Sequence, residues 1–383
     1  MSRLLLTGNY AAAYAVRDAE PDVVSAYPIT PQTPIIEKIA EFIESGELSA
    51  KFVRVESEHS AMAALIGAAS VGARTYTATS SQGLFYMYEV VWWASGARLP
   101  IVMGVVTRAL GPPWSIWTEH SDFYALRDSG WNMFFASSAQ EVYDFTLISY
   151  RVAEDSRVLL PTLVGWDAFE VSHTYEPVAL ADMDKLRSFL PPKGSWKPLL
   201  EASEPGSLGN LAYPDEYIKV RLEMRRASER AKNAVEEALR LYSSVTGRSY
   251  WFFDCILCED ADTVFVVQGS VFGEALRAVE ELRSRGEKVG LVKLWVYRPF
   301  PFGELGRALE GAKRVVVLAR ASVFGSLSPL GADVASALKL RETQAKLFDV
   351  VLGVGGVDVK AEDILGVYRK VLDDGERSFW WVR

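Results

Sequence analysis

The feature that most constrains the fold of this chain is a repeated alternation of short apolar runs with helix-length segments. Runs that are hydrophobic throughout, rather than at every second residue, are typical of strands covered on both faces. Strands that alternate with helices favour a parallel, doubly wound sheet. In residues 1–170 the pattern predicts strands at 22–26, 51–55, 75–79, 100–107, 131–136 and 158–164, and helices at 32–44, 58–71, 82–95 and 139–155.

A second alternation begins near residue 262, after a breaker-rich connection over 176–214 and a long charged helix over 215–245. It predicts strands at 263–267, 290–296, 314–318 and 345–351, and helices at 271–285, 302–310, 330–338 and 361–372. The sequence therefore predicts an α/β protein with two doubly wound domains. We place them at residues 1–250, which include the linker helix, and 251–383.

Composition excludes several classes of protein. With 49% apolar and 23% charged residues, the 383-residue chain is neither disordered, collagenous nor a coiled coil. Its formal net charge of −8 and the lack of a basic block argue against a nucleic-acid partner. No apolar run is long enough to span a membrane. The start has one charge and three consecutive leucines, too few for a secretory signal, so we expect a cytoplasmic location.

Three polar segments follow predicted strands of the first domain. Residues 26–34 (AYPITPQTP) place Thr30 at the carboxyl end of a strand, where open parallel sheets bind ligands. The alternative is a turn that leads into a helix, with Thr30 or Thr33 as its cap. Residues 77–83 (TATSSQG) offer hydroxyls and backbone N–H groups that can cradle an anion, although many polar turns look similar.

The third of these segments carries two acidic residues. Residues 55–60 (VESEHS) precede a helix rich in alanine and glycine, which can approach a flat ligand closely. The helix dipole favours a carboxylate at Glu56 or Glu58. The alternative is a structural helix start, with Ser57 as the cap and acidic residues in the first turn.

Residues 107–122 form the most irregular stretch of the chain. Arg108 ends a strongly apolar strand, where its guanidinium can hold a carboxylate or phosphate through two hydrogen bonds. A Gly-Pro-Pro break with Trp114 and Trp117 then indicates a packed functional loop. The alternative is that Arg108 pairs with a structural acid.

The chain contains two cysteines, Cys255 and Cys258, in a C-x-x-C arrangement. A structural zinc or an iron–sulfur cluster generally needs four ligands, and no nearby cysteine or histidine completes a set. We therefore interpret both as ordinary thiols and leave redox pairing as the alternative. No metal site is predicted in this chain.

Taken together, the strand-end segments resemble the alpha subunit of pyruvate:ferredoxin oxidoreductase and related 2-oxoacid:ferredoxin oxidoreductases. They occur in the family's order and cover nearly the whole chain. The matching segments are 27–31 (YPITP), 55–59 (VESEH), 77–83 (TATSSQG), 107–109 (TRA), 127–131 (RDSGW) and 297–301 (YRPFP).

The resemblance implies a thiamine diphosphate enzyme, with a pyrimidine-binding-type domain followed by a transketolase C-terminal-like domain. Glu58 matches the catalytic glutamate that contacts N1′ of the aminopyrimidine ring. Thr30 and Arg108 match the residues that bind the 2-oxoacid. The resemblance also implies cofactor contacts by Tyr27, Pro28, Ile29, Glu58, Ser81, Gln82 and Gly83, and a loop near the site that contains Trp117, His120 and Asp122.

The resemblance also implies partner subunits. The chain lacks the G-D-G…N-N type of signature for Mg²⁺ and diphosphate, and it lacks the cysteines for a cluster. We therefore expect a beta subunit that carries Mg²⁺, the diphosphate end of the cofactor and a [4Fe-4S] cluster. Gamma and delta subunits would complete a heterotetramer that uses coenzyme A and ferredoxin. The isolated chain is then expected to be inactive.

The implied reaction is the oxidative decarboxylation of pyruvate, or of a related 2-oxoacid, to acyl-CoA, CO₂ and reduced ferredoxin. Residues 79–83 (TSSQG) are similar to the pyruvate and 2-oxoisovalerate branches, so a branched-chain 2-oxoacid is the alternative substrate. The loop at 118–122 and Arg320 depart from the family pattern. The competing functions are a scaffold subunit with a decayed site and a dinucleotide-binding protein, which would need a glycine fingerprint after the first strand.

Overall fold

A computed structural model describes residues 3–204, 206–373 and 375–382. The first two residues of the start, and the last residue of the proposed second domain, lie outside these ranges. Within them, no helix is long and apolar enough to cross a bilayer. The expected cytoplasmic location stays a prediction.

The described chain alternates strands and helices along most of its length. The strands are β1 (Arg3–Leu6), β2 (Val23–Ser25), β3 (Lys51–Val53), β4 (Thr75–Thr79), β5 (Ile101–Thr107), β6 (Asn132–Ala136), β7 (Thr162–Asp167), β8 (Glu176–Ala179), β9 (Phe253–Ile256), β10 (Thr263–Val267), β11 (Val289–Leu294), β12 (Val296–Arg298), β13 (Arg314–Ala319), β14 (Lys346–Val351) and β15 (Ser378–Trp380). The helices are α1 (Gly8–Ala19), α2 (Thr33–Glu44), α3 (Glu58–Ser70), α4 (Ser81–Tyr86), α5 (Tyr88–Gly96), α6 (Ser121–Tyr124), α7 (Ala139–Ala153), α8 (Met183–Phe189), α9 (Pro214–Thr246), α10 (Val271–Ser284), α11 (Phe302–Ala308), α12 (Pro329–Leu340) and α13 (Ala361–Leu372).

Two large sheets organise the molecule. The first has seven strands in the order β12-β6-β7-β5-β4-β2-β3, and all of its pairs are parallel except β12–β6. The second has six strands in the order β15-β14-β13-β10-β11-β9, where only β9 is antiparallel. The prediction of an α/β fold with two doubly wound sheets is confirmed. A separate antiparallel pair joins β1 to β8.

Strand β12 was not predicted as a member of the first sheet. It belongs to the second half of the chain, yet it pairs with β6 and so crosses the proposed division after residue 250. That division falls between the end of α9 and the start of β9, and it stays a prediction. Because β6 would otherwise be the last strand of its sheet, β12 covers its free hydrogen-bonding edge.

Several boundaries differ from the prediction for packing reasons. Strand β7 begins at Thr162 rather than at residue 158, because Val158 and Leu160 pack against alanines of α9. The helix predicted over 82–95 is divided into α4 and α5 at Met87. Helix α1 was missed; it is rich in alanine and largely buried against α7, so it lacks a polar face that would reveal a helical period.

The interpretation of the two cysteines as ordinary thiols was wrong. Cys255 and Cys258 are joined by a disulfide at the end of β9. Strand β9 turns sharply after Ile256, with Leu257 at a φ of 55°, and this turn brings the two side chains together.

Candidate active site

Consecutive segments after four neighbouring strands meet at one edge of the first sheet. These strands lie in the order β5-β4-β2-β3 and are parallel, so their carboxyl ends face the same way. Thr30 follows β2, Glu58 follows β3, Ser81 follows β4 and Arg108 follows β5. Open α/β sheets bind ligands at such an edge.

Glu58 is a buried carboxyl at the first residue of α3. The cap of this helix is Ser57, whose hydroxyl accepts a hydrogen bond from the backbone N–H of Ser60 at 3.2 Å. Glu58 is only 7% exposed, and no other described residue forms a hydrogen bond or ion pair with its carboxyl. Burial raises the pKa of this carboxyl above its usual range, and a hydrogen bond from its own backbone N–H opposes the shift.

The wall opposite Glu58 is formed by Thr79 and Gly83. A Cβ at Gly83 would lie 2.5 Å from Glu58 Oε1 and 2.7 Å from Thr79 Oγ1, so these groups converge where only glycine fits. The buried Thr79 hydroxyl has no hydrogen-bond partner among the described residues. A carboxyl bonded only to its own backbone N–H, beside a hydroxyl without a partner, fits the nitrogen atoms of a flat heterocycle. Thr79 was not among the predicted site residues, although it lies within the hydroxyl-rich segment.

Arg108 closes another side of the same site. Its Nη1 donates to the carbonyl oxygen of Thr30, and its Nη2 donates to Gln82 Oε1 at 2.9 Å. The buried Nε has no partner among the described residues. The guanidinium carbon lies 5.9 Å from the ring centre of Trp114, which is exposed. Arg108 is therefore paired with neutral oxygen atoms and keeps its full charge for an anion, so the alternative of a structural ion pair is not what the structure contains.

Asp122 fixes the two loops that carry Arg108 and Ser81. Its fully buried carboxyl accepts hydrogen bonds from the backbone N–H groups of Ser81 at 2.9 Å, Arg108 at 3.1 Å and Phe123 at 2.7 Å. Burial raises the pKa of Asp122 to about 7, against the effect of these three hydrogen bonds. The side chain reaches backbone rather than the cleft, which makes it a positioning residue.

The stability that Asp122 contributes is expected to fall as the pH rises from about 4 to about 7. The native carboxyl keeps its proton up to a pH of about 7, whereas the unfolded one loses it near 4. The folded state then binds more protons, so the free energy of unfolding declines by up to about 1.4 kcal/mol per pH unit. Urea unfolding from pH 4 to 8 should show a flatter profile for Asp122→Asn than for the wild type.

The matched control is Asp128→Asn, since Asp128 has a side chain that is 70% exposed. This variant should keep the wild-type dependence of stability on pH. An Asp122→Asn profile that runs parallel to that of the wild type would contradict the assignment.

The segment 27–31 is positioned by buried amides. Asn9 Nδ2 donates to the carbonyl oxygen of Pro31 at 2.7 Å, and Gln32 Nε2 donates to that of Ala78 at 2.9 Å. Gln32 Oε1 accepts from the backbone N–H of Ile29 at 3.3 Å. Tyr27, Pro28 and Thr30 are exposed, and Ile29 is half-buried. Asn9 is distant in sequence, and nothing in the local pattern points to its role.

Ser81 and Gln82 join the segment at 77–83 to the arginine loop. The buried Ser81 hydroxyl lies 2.7 Å from both the carbonyl oxygen of Ala109 and Gln82 Oε1. Gln82 Oε1 thus accepts hydrogen bonds from both Ser81 and Arg108. The amide nitrogen of Gln82 has no hydrogen-bond partner among the residues described. The segments that carry the predicted cofactor-binding residues consequently contact one another at one edge of the first sheet.

The side chains of His120 and Trp117 form no hydrogen bonds with the residues around Glu58 and Arg108. His120 Nε2 lies 2.7 Å from Asp167 Oδ1, and the Trp117 ring packs on Phe169 with ring centres 4.4 Å apart. Both side chains anchor the loop at 108–122 to the end of β7 and the residues that follow it. This separates them from the residues that border Glu58.

Asp167 is the centre of a buried polar cluster between the two sheets. It lies at the carboxyl end of β7 and accepts from the hydroxyl of Thr118 at 2.7 Å and from the backbone N–H of Ser270 at 2.8 Å. Arg320 Nη1 lies 3.3 Å from the same carboxylate. Burial opposes ionisation, but the attraction of His120 and Arg320 holds the pKa of Asp167 below its usual range. Arg320, at which the sequence departs from the family pattern, is thus a buried cation between the two sheets.

No three histidine, cysteine, aspartate or glutamate side chains within the described ranges come together as a candidate metal site. The donors of the cleft are a carboxyl, hydroxyls, an amide and a guanidinium. Such a set suits an organic cofactor and a carboxylate substrate.

Comparison with known proteins gives two family matches. Residues 14–240 match the family described as pyruvate flavodoxin/ferredoxin oxidoreductase, thiamine diphosphate-binding. Residues 261–364 match the family described as pyruvate:ferredoxin oxidoreductase core domain II.

Similar proteins extend over the whole length. Pyruvate synthase subunit PorA of Methanothermobacter thermautotrophicus is 42% identical, over 99% of this chain and 97% of the relative. Ketoisovalerate oxidoreductase subunit VorA of Pyrococcus abyssi is 44% identical, over 98% of this chain and 96% of the relative.

Solved structures agree in fold. The 2-oxoglutarate:ferredoxin oxidoreductase from Magnetococcus marinus, with 2-oxoglutarate, coenzyme A and succinyl-CoA bound, aligns with a TM-score of 0.74 at 18% identity, over 96% of this chain and 65% of that one. A split-gene transketolase aligns with a TM-score of 0.57 at 14% identity, over 96% of this chain and 98% of that one.

Proposed function

The chain belongs to the 2-oxoacid:ferredoxin oxidoreductase family as an alpha subunit, and from that membership we propose that it binds a 2-oxoacid beside thiamine diphosphate. The proposed reaction is the coenzyme A-dependent oxidative decarboxylation of pyruvate, with electrons passed to ferredoxin. The observation that carries the proposal is the buried carboxyl of Glu58, which no other side chain pairs with, at the same edge of the first sheet as Arg108. The substrate 2-oxoisovalerate is the alternative, since PorA and VorA relatives are similar to this chain at 42% and 44% identity.

Glu58, Thr79 and Gly83 are the residues that would hold the aminopyrimidine ring. Bound thiamine diphosphate supplies a nucleophilic carbon and accepts the electrons released by decarboxylation. Burial raises the pKa of Glu58 above its usual range, which favours a proton shared between this carboxyl and a ring nitrogen. The absent Cβ of Gly83 leaves space beside that carboxyl. The segments at 27–29 and 81–82 form the remaining border.

Arg108 and Thr30 would bind the 2-oxoacid. The guanidinium has an unpartnered Nε and contacts neutral oxygen atoms, so it can neutralise the substrate carboxylate. The Thr30 hydroxyl makes no hydrogen bond to the described residues and can donate to the keto oxygen. Burial of the arginine strengthens both its attraction for an anion and the orientation of that anion.

Partner subunits would supply what this chain does not encode. We assign Mg²⁺, the diphosphate contacts and a proximal [4Fe-4S] cluster to a beta subunit, and further electron transfer to gamma and delta subunits. Phe85 and Tyr86, which are 42% and 62% exposed, follow Gly83 by two and three residues on α4. Exposed aromatic side chains at the rim of an incomplete site support coverage by another polypeptide.

Replacing Arg108 by lysine should raise the KM for the 2-oxoacid by about tenfold to 100-fold, with a smaller change in kcat. Lysine lacks the planar fork, so it cannot hold the Thr30 carbonyl and Gln82 while it also binds a carboxylate. The loss of one charge-assisted hydrogen bond, worth about 1.5–3 kcal/mol, sets this range. The KM is measured from initial rates of viologen reduction by the assembled complex at increasing 2-oxoacid concentration. Arg277→Lys, on the exposed face of α10, is the control, and equal KM values for both variants would contradict the role of Arg108.

The proposal as a whole is tested by viologen reduction with a panel of 2-oxoacids. The complex purified from its source should act on pyruvate, or on 2-oxoisovalerate if the alternative holds, only with coenzyme A present. The isolated chain should be inactive and should regain activity when the other subunits are added. A complex that reduces viologen with none of the panel would overturn the proposal.

A further inference from the structure

The disulfide between Cys255 and Cys258 lies outside the cleft and has no part in the proposed reaction. Strand β9 is the edge strand of the second sheet, and Cys255 pairs in register with Val292 of β11. Cys258 lies beside Gly290, near the amino end of β11. The pair thus lies at the end of the sheet opposite to the carboxyl ends of its parallel strands.

The two sulfur atoms differ in accessibility. Cys255 is exposed, and so is Leu257, of which 48% is accessible, within the ring that the disulfide closes. Cys258 is half-buried, and its Sγ lies 3.6 Å from the carbonyl oxygen of Leu291 and 3.7 Å from that of Ile256. An external thiol can therefore reach the Cys255 sulfur. The two carbonyl oxygens are ready to accept the S–H of Cys258 when it is a thiol.

The fold does not depend on this covalent bond. A disulfide that closes a ring of four residues removes little entropy from the unfolded chain. The strand is already held by four residue pairs between β9 and β11. The turn is held by Arg283 Nη2, which donates to the carbonyl oxygen of Leu257 at 2.6 Å and to Asp260 at 2.7 Å. The bond can therefore open and close while the sheet remains intact.

We propose that Cys255 and Cys258 form a thiol–disulfide exchange site whose reductant is a dithiol. A thiolate of the reductant attacks the exposed Cys255 sulfur, the bond between the two sulfurs breaks, and Cys258 leaves as a thiolate that takes up a proton. The second thiol of the reductant then attacks the mixed disulfide. Cys255 is released and protonated, and the reductant becomes a cyclic disulfide. Two electrons and two protons pass to this chain.

The charges around the pair select among thiol reductants. Asp254 and Glu259 are exposed acidic residues beside the two cysteines, whereas Arg283 is paired with Asp260. An anionic monothiol such as glutathione is repelled by this surface, and a neutral dithiol is not. A dithiol also completes the exchange within one complex, without a second encounter.

The test uses the native complex, with dithiothreitol and glutathione as probes and N-ethylmaleimide as the thiol trap. After air equilibration, the untreated chain should carry no maleimide at Cys255 or Cys258 when digested and analysed by mass spectrometry. Brief exposure to dithiothreitol under native conditions should label both cysteines, at least tenfold faster than glutathione at equal thiol concentration. A pair that remains unreduced by dithiothreitol until the protein is unfolded, or that stays as thiols after oxidation, would overturn the proposal.

Single variants test which sulfur is attacked. Cys258→Ser leaves an exposed thiol at Cys255, which should react with maleimide at least tenfold faster than the half-buried thiol left by Cys255→Ser. Equal rates, or a faster Cys255→Ser variant, would contradict the proposed order of attack. Viologen reduction should be unchanged in both variants, because the pair is remote from Glu58. The outcome of this test is therefore independent of the proposed function.

Discussion

Replacing Glu58 by glutamine is expected to lower the turnover of the assembled complex by about 10²–10⁴-fold, the usual contribution of a general acid–base group. The amide has nearly the same shape as the carboxyl, so it fits beside Gly83 and Thr79. It cannot, however, share a proton with a ring nitrogen. Steady-state viologen reduction with saturating 2-oxoacid and coenzyme A measures the change.

The matched control for this experiment is Glu56→Gln. Glu56 lies two residues earlier, is exposed, and accepts a hydrogen bond from the Ser60 hydroxyl outside the cleft. The turnover of the complex with Glu56→Gln should stay within about twofold of the wild type, since surface substitutions have small effects. Thermal unfolding should show that both variants fold. An unchanged rate for Glu58→Gln would instead favour the scaffold subunit with a decayed site.

Replacing Asp167 by alanine should destabilise the chain by about 3–5 kcal/mol, the usual cost of removing one partner from a buried ion pair. The change leaves the buried His120 without its carboxylate and leaves the Arg320 guanidinium, which is 2% exposed, with Glu170 as its remaining partner at 2.7 Å. It also removes the acceptor for Thr118 and for the backbone N–H of Ser270. The loss should appear as a lower midpoint in thermal and urea unfolding.

The control for this substitution is a surface ion pair. Glu281 lies in the last turn of α10 and Arg285 directly follows the helix, and their side chains are 42% and 51% exposed. Glu281→Ala should cost no more than about 0.5 kcal/mol, because solvent screens such pairs. If Asp167→Ala cost as little, the buried cluster would not hold the two sheets together.

The sequence predicts local features of this protein better than its long-range contacts. Strand β4 has the predicted bounds, because a run of β-branched and aromatic residues between turn signals leaves few alternatives. Four site segments were also found correctly at strand ends, since parallel strands put their carboxyl ends on one edge. The roles given to Glu58, Thr30 and Arg108 came from resemblance to a family and stay proposals.

The parts that sequence reasoning missed depend on contacts between distant segments. Asn9 acts on a backbone group that lies 22 residues away. Asp122 was predicted to lie near the site, but its bond to a backbone group 41 residues away was not. Asp167 bonds to Ser270, which lies 103 residues later. The spacing of residues within a short stretch of sequence does not indicate hydrogen bonds between segments that are distant in the chain. Strand β12 was missed for the same reason, because its partner β6 is remote in sequence and its own run is only three residues long.

The pairing of β12 with β6 constrains how this protein can be dissected. A fragment that stops after α9 contains all four strand-end segments of the candidate site. It leaves the backbone of β6 (Asn132–Ala136), which includes Phe134 and Phe135, as an unpaired sheet edge. An unpaired, apolar border of this kind templates intermolecular strand addition. Recombinant work on the N-terminal half is therefore expected to need either residues 296–298 in trans or a charged residue introduced into β6 to prevent aggregation.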